Sequence, residues 1–347
     1  MQRSLRVAGL MVVGLAVRIL VRAIRERRFD FSGRSVLVTG GSRGLGLELA
    51  RELIVEGARV AICARDAEEL ERARQDLAAR GGHVLAIPCD VTDRDAVNGM
   101  VAHVVAELGD LDVLVNNAGT IVVGPLEVLT HDDFEDAMRT NFWGPLHTIL
   151  AVLPEMRRHR SGRIVNIASI GGKLAVPHLA PYSASKFALV GLSEGLRAEL
   201  IGAGIIVTTV CPGLMRTGSP RNATFKGHHR AEYAWFSISD ALPIASMDAT
   251  RAARQILAAC KRGDAEIVLS IPAKLARVTH ALFPRPIAGL LGLVNRLLPG
   301  PGGIGTRGAR GADSESAISP SVLTALGDRA AARNNELGPG ERLESAR

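Results

Sequence analysis

The stretch SVLVTGGSRGLG, residues 35–46, decides the fold. It runs from an apolar, β-branched segment into a glycine-rich turn, and a helical pattern follows from Leu45 to Glu56. Glycines at such a turn let the backbone approach a pyrophosphate closely, and the free N–H groups and positive dipole of the helix N-terminus attract it. This strand–turn–helix unit predicts a dinucleotide site that includes Gly40, Ser42, Arg43, Leu45 and Gly46.

The alternation of strand and helix continues along the chain. Six more short apolar runs predict strands, at residues 59–63, 83–89, 112–116, 163–169, 205–211 and 266–270. These runs lack the in/out alternation of a strand with one solvated face, as expected when both faces of a sheet are covered. The pattern predicts an α/β fold, a Rossmann-type, doubly wound, seven-stranded parallel sheet flanked by helices.

The net charge of +7 is distributed unevenly. Residues 1–28 carry +6, residues 29–299 carry +1, and residues 300–347 are neutral overall. A basic total invites the hypothesis of a nucleic-acid-binding protein. The near-neutral centre and the apolar run between the first arginines disfavour that hypothesis, so we expect no nucleic-acid partner.

The four cysteines are widely separated and lie mostly inside apolar runs: Cys63, Cys89, Cys211 and Cys260. Neither a CxxC pair nor a histidine cluster with ligand spacing accompanies them. The sequence therefore predicts small core residues rather than a metal site or a disulfide framework.

Residues 1–28 combine seven arginines with the uncharged run VAGLMVVGLAV at residues 7–17. A transmembrane helix needs roughly 20 residues, so a weak span and a helix lying in the membrane plane are both compatible with this segment. A cleaved signal peptide and a packed helix are the alternatives, but no small-residue cleavage site precedes the arginine cluster. We expect an uncleaved anchor, with arginines 22–28 keeping the next domain on the cytoplasmic side.

Two stretches interrupt the alternation. Residues 214–243 lack a clear period and concentrate aromatic residues, which predicts a mobile lid or substrate loop. Residues 272–299 predict an amphiphilic helical extension, whose leucine-rich face could pack on the core, a partner subunit or the membrane. Residues 300–347 predict a disordered tail, which leaves residues 29–271 as the dinucleotide-binding domain.

The choice of cofactor depends on the residue after the second predicted strand. An acid there accepts hydrogen bonds from a ribose 2′-OH, whereas an arginine accommodates a 2′-phosphate. The sequence has Arg65 at this point and no acid until Asp66. Together with Arg43 in the glycine-rich turn, Arg65 favours NADP(H) over NAD(H).

Ser169 ends a predicted strand, and the sequence YSASK follows at residues 182–186. In a helix, Tyr182 and Lys186 share one face. A tyrosine is a weak acid with a pKa of about 10, and a neighbouring ammonium lowers that pKa, which makes Tyr182 a candidate general acid/base. Ser169, at the carboxyl edge of the sheet, is predicted to bond the substrate oxygen. An amphipathic helix with incidental polar residues would explain Tyr182 and Lys186 alone.

From about residue 32 to residue 270, the sequence resembles the short-chain dehydrogenase/reductase family. The resemblance depends on several motifs in order: TGxxxGxG from Thr39 to Gly46, the acid Asp90, NNAG from Asn116 to Gly119, the helix residue Asn141, Ser169, YxxxK from Tyr182 to Lys186, and Pro212-Gly213 followed by Thr217.

This resemblance implies roles for the matched residues. Adenine contacts are implied for Asp90 and Val91, ribose-side contacts for Asn117, Ala118 and Gly119, and nicotinamide contacts for Pro212, Gly213 and Thr217. Lys186, beside Tyr182, is also implied to hold the nicotinamide ribose, and Asn141 to support a water in a proton relay to Lys186. The family resemblance further implies a homo-oligomer.

The expected function is NADP(H)-dependent interconversion of a carbonyl and an alcohol by hydride transfer, without a metal. The aromatic stretch and the proximity of a membrane favour a lipophilic small-molecule substrate. The alternative is a non-catalytic dinucleotide-sensing or scaffolding protein on the same fold. The complete set of Asn141, Ser169, Tyr182 and Lys186 argues against that alternative.

Overall fold

A computed structural model describes residues 29–338 of the protein, and the segment predicted as a membrane anchor lies outside them. The strands are β1 Ser35–Thr39, β2 Arg59–Ala64, β3 Val84–Pro88, β4 Val113–Asn116, β5 Val122–Val123, β6 Gly162–Ile167, β7 Ile205–Cys211, β8 Leu214–Arg216, β9 Thr224–Phe225, β10 Ser246–Asp248, β11 Glu266–Val268 and β12 Ala309–Arg310. The helices are α1 Gly44–Val55, α2 Ala67–Ala78, α3 Arg94–Leu108, α4 His131–Met138, α5 Gly144–His159, α6 Ala180–Leu200, α7 His229–Ala241, α8 Ala249–Arg262, α9 Ile271–Leu282, α10 Pro284–Leu297 and α11 Ala325–Arg333.

A seven-stranded parallel sheet forms the centre of the fold, in the order β11–β7–β6–β4–β1–β2–β3. The predicted fold class is therefore confirmed, and its seven strands are those predicted from the sequence. The chain reverses its winding direction at β1, which lies between β2 and β4. In open α/β sheets, ligands bind outside the carboxyl ends of the strands at such a reversal.

Both faces of the sheet are buried, which explains the continuous apolar strands. Val36 and Val38 of β1 pack in one cluster with residues of α1 and α8. Leu37, between them, packs in a second cluster with residues of α3 and α5 on the opposite face. All four cysteines are buried, and burial raises the thiol pKa of Cys63 to about 12, so the prediction of core cysteines is confirmed.

The N-termini of α8 and α1 differ in how they are capped. At the start of α8, the Asp248 side chain accepts hydrogen bonds from the backbone N–H groups of Thr250 and Arg251, and Gly263 ends the helix with a φ of 67°. At the start of α1, by contrast, Arg43 makes no side-chain cap. The α1 N-terminus therefore has no side-chain cap from its own N-cap residue, and its dipole attracts an anion.

The stretch predicted as a mobile lid, residues 214–243, folds into β8, β9 and α7. Its aromatic residues form the centre of a separate apolar cluster in which Phe225, Tyr233 and Phe236 are buried. Phe225 meets both of the other rings edge to face, at centroid distances of 5.4 and 5.9 Å. The aromatic residues therefore anchor this stretch to the domain.

The tail predicted to be disordered differs most from the structure, because its described part, residues 300–338, is folded. β12 pairs antiparallel with β9, the Arg221 guanidinium meets the Glu315 carboxylate at 2.6 Å, and α11 packs on α7. These contacts are strand pairing, a partly exposed ion pair and the packing of one helix on another. None of them requires the apolar periodicity by which a sequence reveals a helix or strand.

Residues 272–299 are helical as predicted and form α9 and α10. None of the side chains of α10 is buried, and its Leu290, Leu293, Val294 and Leu297 are all exposed. Within residues 29–338 this leucine-rich face therefore does not pack on the core. Among the helices of that same range, none is both long and apolar enough to cross a bilayer.

Candidate active site

The loops that follow β1 and β4 are joined by one side chain at the winding reversal. Thr39 Oγ1 accepts hydrogen bonds from the backbone N–H groups of Asn117, at 3.0 Å, and Ala118, at 3.1 Å. The Asn117 amide donates back to the carbonyl oxygens of Thr39, at 3.2 Å, and Gly40, at 3.0 Å. These bonds fix the glycine-rich turn against the NNAG segment, so the two stretches form one wall.

Two glycines make this wall possible. Gly40 has a φ of 61°, and a Cβ there would lie 2.8 Å from the Ala118 Cα. A Cβ at Gly46 would lie 2.0 Å from the Gly40 carbonyl oxygen. Only residues without side chains fit at these two points, and the result is a shallow cradle of backbone at the α1 N-terminus, of the kind that accepts a pyrophosphate. Leu45, between them in the turn, is buried.

The polar residues of the turn are held by an acid that the sequence pattern did not reveal. Glu69, in the first turn of α2, accepts a hydrogen bond from Ser42 Oγ and pairs with Arg43 Nη1 at 2.9 Å. Glu69 lies 26 residues from Arg43, and no local motif connects the two. Arg65 is exposed at the end of β2. Arg43 is therefore partly neutralised, whereas Arg65 presents its charge to solvent beside the turn.

The residues predicted to contact the adenine, Asp90 and Val91, follow β3. Asp90 Oδ1 accepts hydrogen bonds from the backbone N–H and the hydroxyl of Thr92, at 2.9 and 2.8 Å. Val91 is buried against Gly144, where a Cβ would lie 2.8 Å from the Val91 side chain. This edge of the predicted adenine site is thereby fixed in place.

Ser169 lies two residues after the end of β6, and its Oγ accepts a hydrogen bond from the backbone N–H of Gly171 at 2.9 Å. A Cβ at Gly171 would lie 3.2 Å from Tyr182 Cε1 and 3.3 Å from Ser169 Oγ. The missing side chain at residue 171 therefore lets the Ser169 hydroxyl and the Tyr182 ring approach each other at the carboxyl edge of the sheet.

Lys186 is buried one helical turn below Tyr182, and its Nζ donates to the Ile167 carbonyl oxygen at 2.9 Å. Nζ lies 5.7 Å from the centroid of the Tyr182 ring. Desolvation lowers the pKa of Lys186 to about 8.

The expected lowering of the Tyr182 pKa by this ammonium is wrong for the structure. Burial raises the pKa of Tyr182, and the Ser169 side chain opposes that shift without reversing it. The reason is geometric, because Lys186 directs its ammonium to a backbone carbonyl rather than to the phenol oxygen.

Asn141 is buried in a π-helical segment, Arg139–Trp143, between α4 and α5. Its side chain exchanges two hydrogen bonds with the backbone of Thr120, both 3.0 Å, and donates to Ser185 Oγ at 3.0 Å. A Cβ at Gly119 would lie 2.9 Å from Asn141 Oδ1 and 3.6 Å from Lys186 Nζ. Gly119 thus lets Asn141 and Lys186 approach each other, as the predicted relay requires.

The turn after β7 contains the residues predicted to contact the nicotinamide. The Pro212 carbonyl oxygen accepts a hydrogen bond from the Ile170 N–H at 2.7 Å, which connects this turn to the segment after Ser169. A Cβ at Gly213 would lie 2.8 Å from Ser270 Oγ. Thr217 is buried, and its carbonyl oxygen accepts a bond from Asn334 of the C-terminal segment.

Two further acids near this turn escaped prediction. Asp240 of α7 accepts a hydrogen bond from the Met215 N–H at 3.1 Å, and burial raises its pKa to about 7. Glu336 lies against Gly44 at the start of α1. Their sequence neighbourhoods resemble ordinary solvated helix or tail, so no pattern could have identified them.

A glycine-rich backbone turn at the N-terminus of α1, next to a serine and a tyrosine with a buried lysine behind them, defines a Rossmann-type protein that can bind a dinucleotide beside an acid/base group. Residues 34–226 match the family model of the short chain dehydrogenases. The putative ketoacyl reductase of Streptomyces coelicolor is 43% identical over 195 residues, which cover 56% of this chain and 74% of that protein.

Solved structures agree with this match. A short-chain dehydrogenase from Streptomyces avermitilis is 32% identical with a TM-score of 0.66, over 77% of this chain and 99% of its own. A variant of actinorhodin polyketide ketoreductase, solved with NADPH, is 36% identical with a TM-score of 0.62, over 69% of this chain and 95% of its own. The chain belongs to the short-chain dehydrogenase family and is an oxidoreductase of CH–OH groups that uses a nicotinamide dinucleotide.

Proposed function

We propose that the protein is an NADP(H)-dependent reductase of lipophilic carbonyl compounds, with Tyr182 as the proton donor. The observation that carries this proposal is the placement of Ser169 Oγ and the Tyr182 ring together around Gly171, with Lys186 buried one helical turn below Tyr182. The nicotinamide ring supplies the hydride when the cofactor is bound. The protein's own residues hold the carbonyl and deliver the proton.

The protonation state of Tyr182 favours the reductive direction of the reaction. Because burial raises the pKa of Tyr182, its phenol stays protonated at neutral pH and can give its proton to a carbonyl oxygen that becomes an alcohol oxygen. Ser169 Oγ lies beside the phenol and positions the same substrate oxygen. We expect the phenolate to regain its proton from the side of the buried Lys186, with Asn141, which donates to Ser185 Oγ, as a positioning residue.

NADP(H) is favoured by two arginines beside the glycine-rich turn. Arg65 is exposed at the end of β2, and Arg43 lies at the start of α1. The NADPH-bound polyketide ketoreductase supports the same choice by analogy.

We expect the wild type to show a higher kcat/KM with NADPH than with NADH and Arg65→Asp to lose that preference. Arg74→Asp, an exposed arginine of α2 paired with Glu71, is the charge-matched control. A wild type that prefers NADH would contradict the assignment.

A lipophilic substrate is supported by the apolar cluster next to Tyr182. The Tyr182 ring packs against a buried group that includes Val123, Leu179, Phe225 and Phe236. The names of the related ketoacyl reductases make ketoacyl thioesters of increasing chain length the first probes. We expect kcat/KM to rise with chain length. A constant or falling kcat/KM would argue against a lipophilic site.

Membrane association is supported by two parts of the chain. Residues 1–28 are basic around an apolar run, and residues 271–297 contain four Lys or Arg and no acid while exposing the leucines of α10. We expect the full-length protein to sediment with anionic vesicles more than with neutral ones, and deletion of residues 1–28 to reduce this sedimentation. Full-length protein that stays in the supernatant with both vesicles would contradict the proposal.

The family membership also supports homo-oligomerisation. Sedimentation equilibrium should give a mass that is a multiple of the 36.7 kDa chain. A monomer across the micromolar range would contradict it.

The experiment that tests the activity is NADPH oxidation with the ketoacyl series and a panel of ketones and aldehydes. Turnover with any of these carbonyls supports the reductase. Tight NADPH binding without turnover on the whole panel, in either direction, would favour the non-catalytic alternative.

A further inference from the structure

The C-terminal end of the described chain lies on the glycine-rich turn that begins α1. Asn334, Asn335 and Glu336 follow α11, and Asn334 and Glu336 are buried. The backbone N–H of Gly44 donates to the Asn334 carbonyl oxygen at 2.9 Å. The Asn335 side chain donates to the Ser42 carbonyl oxygen, also at 2.9 Å. The segment is therefore bound to the turn through its main chain and through its side chains.

Glu336 places a carboxylate at the N-terminus of α1. Its Oε2 accepts a hydrogen bond from Asn222 Nδ2 at 2.6 Å and lies 3.5 Å from Arg43 Nε. A Cβ at Gly44 would lie 2.7 Å from the Glu336 Oε1, so no ligand atom fits between this carboxylate and the turn. A helix N-terminus beside an arginine stabilises an anion, and here the anion is a side chain of the protein itself.

The same segment also reaches the opposite side of the predicted cofactor site. Asn334 Nδ2 donates to the Thr217 carbonyl oxygen at 3.1 Å. A Cβ at Gly218 would lie 2.3 Å from the Ala331 Cα, so α11 contacts this loop through backbone. The C-terminal segment thus connects the turn expected to hold the pyrophosphate with the loop expected to contact the nicotinamide.

We propose that residues 334–336 are an intramolecular inhibitor of cofactor binding, in which the Glu336 carboxylate occupies a phosphate subsite at Gly44. The segment must leave the turn before a nicotinamide dinucleotide can bind there. This inference depends on the proposed binding of the dinucleotide at the glycine-rich turn, and it adds a regulatory role for the tail.

A dinucleotide can displace the Glu336 carboxylate from the glycine-rich turn. Burial raises the pKa of Glu336 to about 7, with Arg43 opposing the shift, so the site compensates the carboxylate charge only in part. A dinucleotide brings more phosphate charge to the same turn. The segment therefore lowers the apparent cofactor affinity by the fraction of molecules in which the turn is occupied.

The first test is the dissociation constant of NADPH, measured by its fluorescence in the full-length wild type, Glu336→Ala and Asp313→Ala. Asp313 is an exposed acid of the same tail, so its variant makes the same charge change away from the turn. We expect Glu336→Ala to bind NADPH about fivefold more tightly or better and Asp313→Ala to match the wild type. Unchanged or weaker binding in Glu336→Ala would overturn the proposal, because the segment would then be neutral or part of the binding site.

A second test uses the wild type alone and does not depend on the folding of a variant. Arg333 ends α11 and is followed by the inhibitory segment, so tryptic cleavage after Arg333 reports release of that segment. We expect NADPH to accelerate this cleavage and to leave cleavage after Arg158, an exposed residue of α5, unchanged. Protection of Arg333 by NADPH would overturn the proposal.

The two proposals fail in different ways. If the wild type and Glu336→Ala bind NADPH equally, only the inhibitory segment is refuted. If neither NADPH nor NADH binds to any of these proteins, the proposed function and the inhibitory segment are both refuted.

Discussion

Replacement of Thr39 by valine would test how the dinucleotide wall is held together. Valine keeps the shape of threonine but removes the Oγ1 that accepts the N–H groups of Asn117 and Ala118, at 3.0 and 3.1 Å. A buried donor left without an acceptor costs about 1–3 kcal/mol. Because both donors are only partly buried, we expect Thr39→Val to lower the free energy of unfolding by about 2–3 kcal/mol. The loosened wall should also weaken NADPH binding severalfold.

Urea unfolding and an NADPH titration measure these two effects, and Thr39→Ser is the matched control. Serine keeps the accepting oxygen and loses one methyl group, which costs about 1 kcal/mol in a buried position. Equal stability of Thr39→Val and Thr39→Ser, with equal NADPH affinity, would refute the reasoning. It would mean that the two N–H groups find other partners and that the wall does not depend on Thr39.

The other expected outcomes concern glycine, aromatic and titratable residues. Gly46→Ala should abolish NADPH binding in a titration, because its Cβ would lie 2.0 Å from the Gly40 carbonyl oxygen. Gly195→Ala lies on the open face of α6, where a Cβ meets no other atom. This substitution should stabilise the protein by about 0.5–1 kcal/mol in thermal unfolding. Unchanged binding in Gly46→Ala would contradict the cradle. Phe225→Ala should lower the free energy of unfolding, measured in urea, by about 3–5 kcal/mol, because this ring is fully buried. A loss below about 1 kcal/mol would contradict the anchoring of residues 214–243. At saturating NADPH, the rate of carbonyl reduction should be constant below about pH 8 and fall above it. The raised pKa keeps Tyr182 protonated, while Lys186, with a pKa of about 8, loses its charge. A rate that increases toward alkaline pH would contradict the acid role.

The seven-stranded sheet could be predicted because its strands are buried on both faces. Such strands form continuous apolar runs, and the run at residues 205–211 has the same bounds as β7. The glycine-rich turn and the YxxxK spacing are local, so their side chains meet wherever the chain forms the strand–turn–helix and the helix. α5 was not predicted, because Gly144 and Pro145 interrupt its pattern, although proline in the first helical turn is compatible with a helix.

The parts that sequence reasoning missed are those made by contacts distant along the chain. Glu69 meets Ser42 and Arg43 across the gap between α1 and α2, and Arg51 Nη1 reaches Asn334, 283 residues later, at 3.3 Å. These are single polar contacts without a period or a motif. For the same reason the sequence of residues 300–347 resembles that of a solvated tail, although its described part covers the predicted cofactor site.

The most direct test of the account is the turnover of Tyr182→Phe with NADPH and the best carbonyl substrate of the panel. Phenylalanine keeps the ring among Val123, Leu179 and their neighbours but removes the hydroxyl that we propose as the proton donor. We predict that NADPH binding is retained and that kcat falls by about 10²–10⁴, the usual contribution of a positioned general acid. A Tyr182→Phe variant that binds NADPH normally and turns over at a rate near that of the wild type would contradict the account.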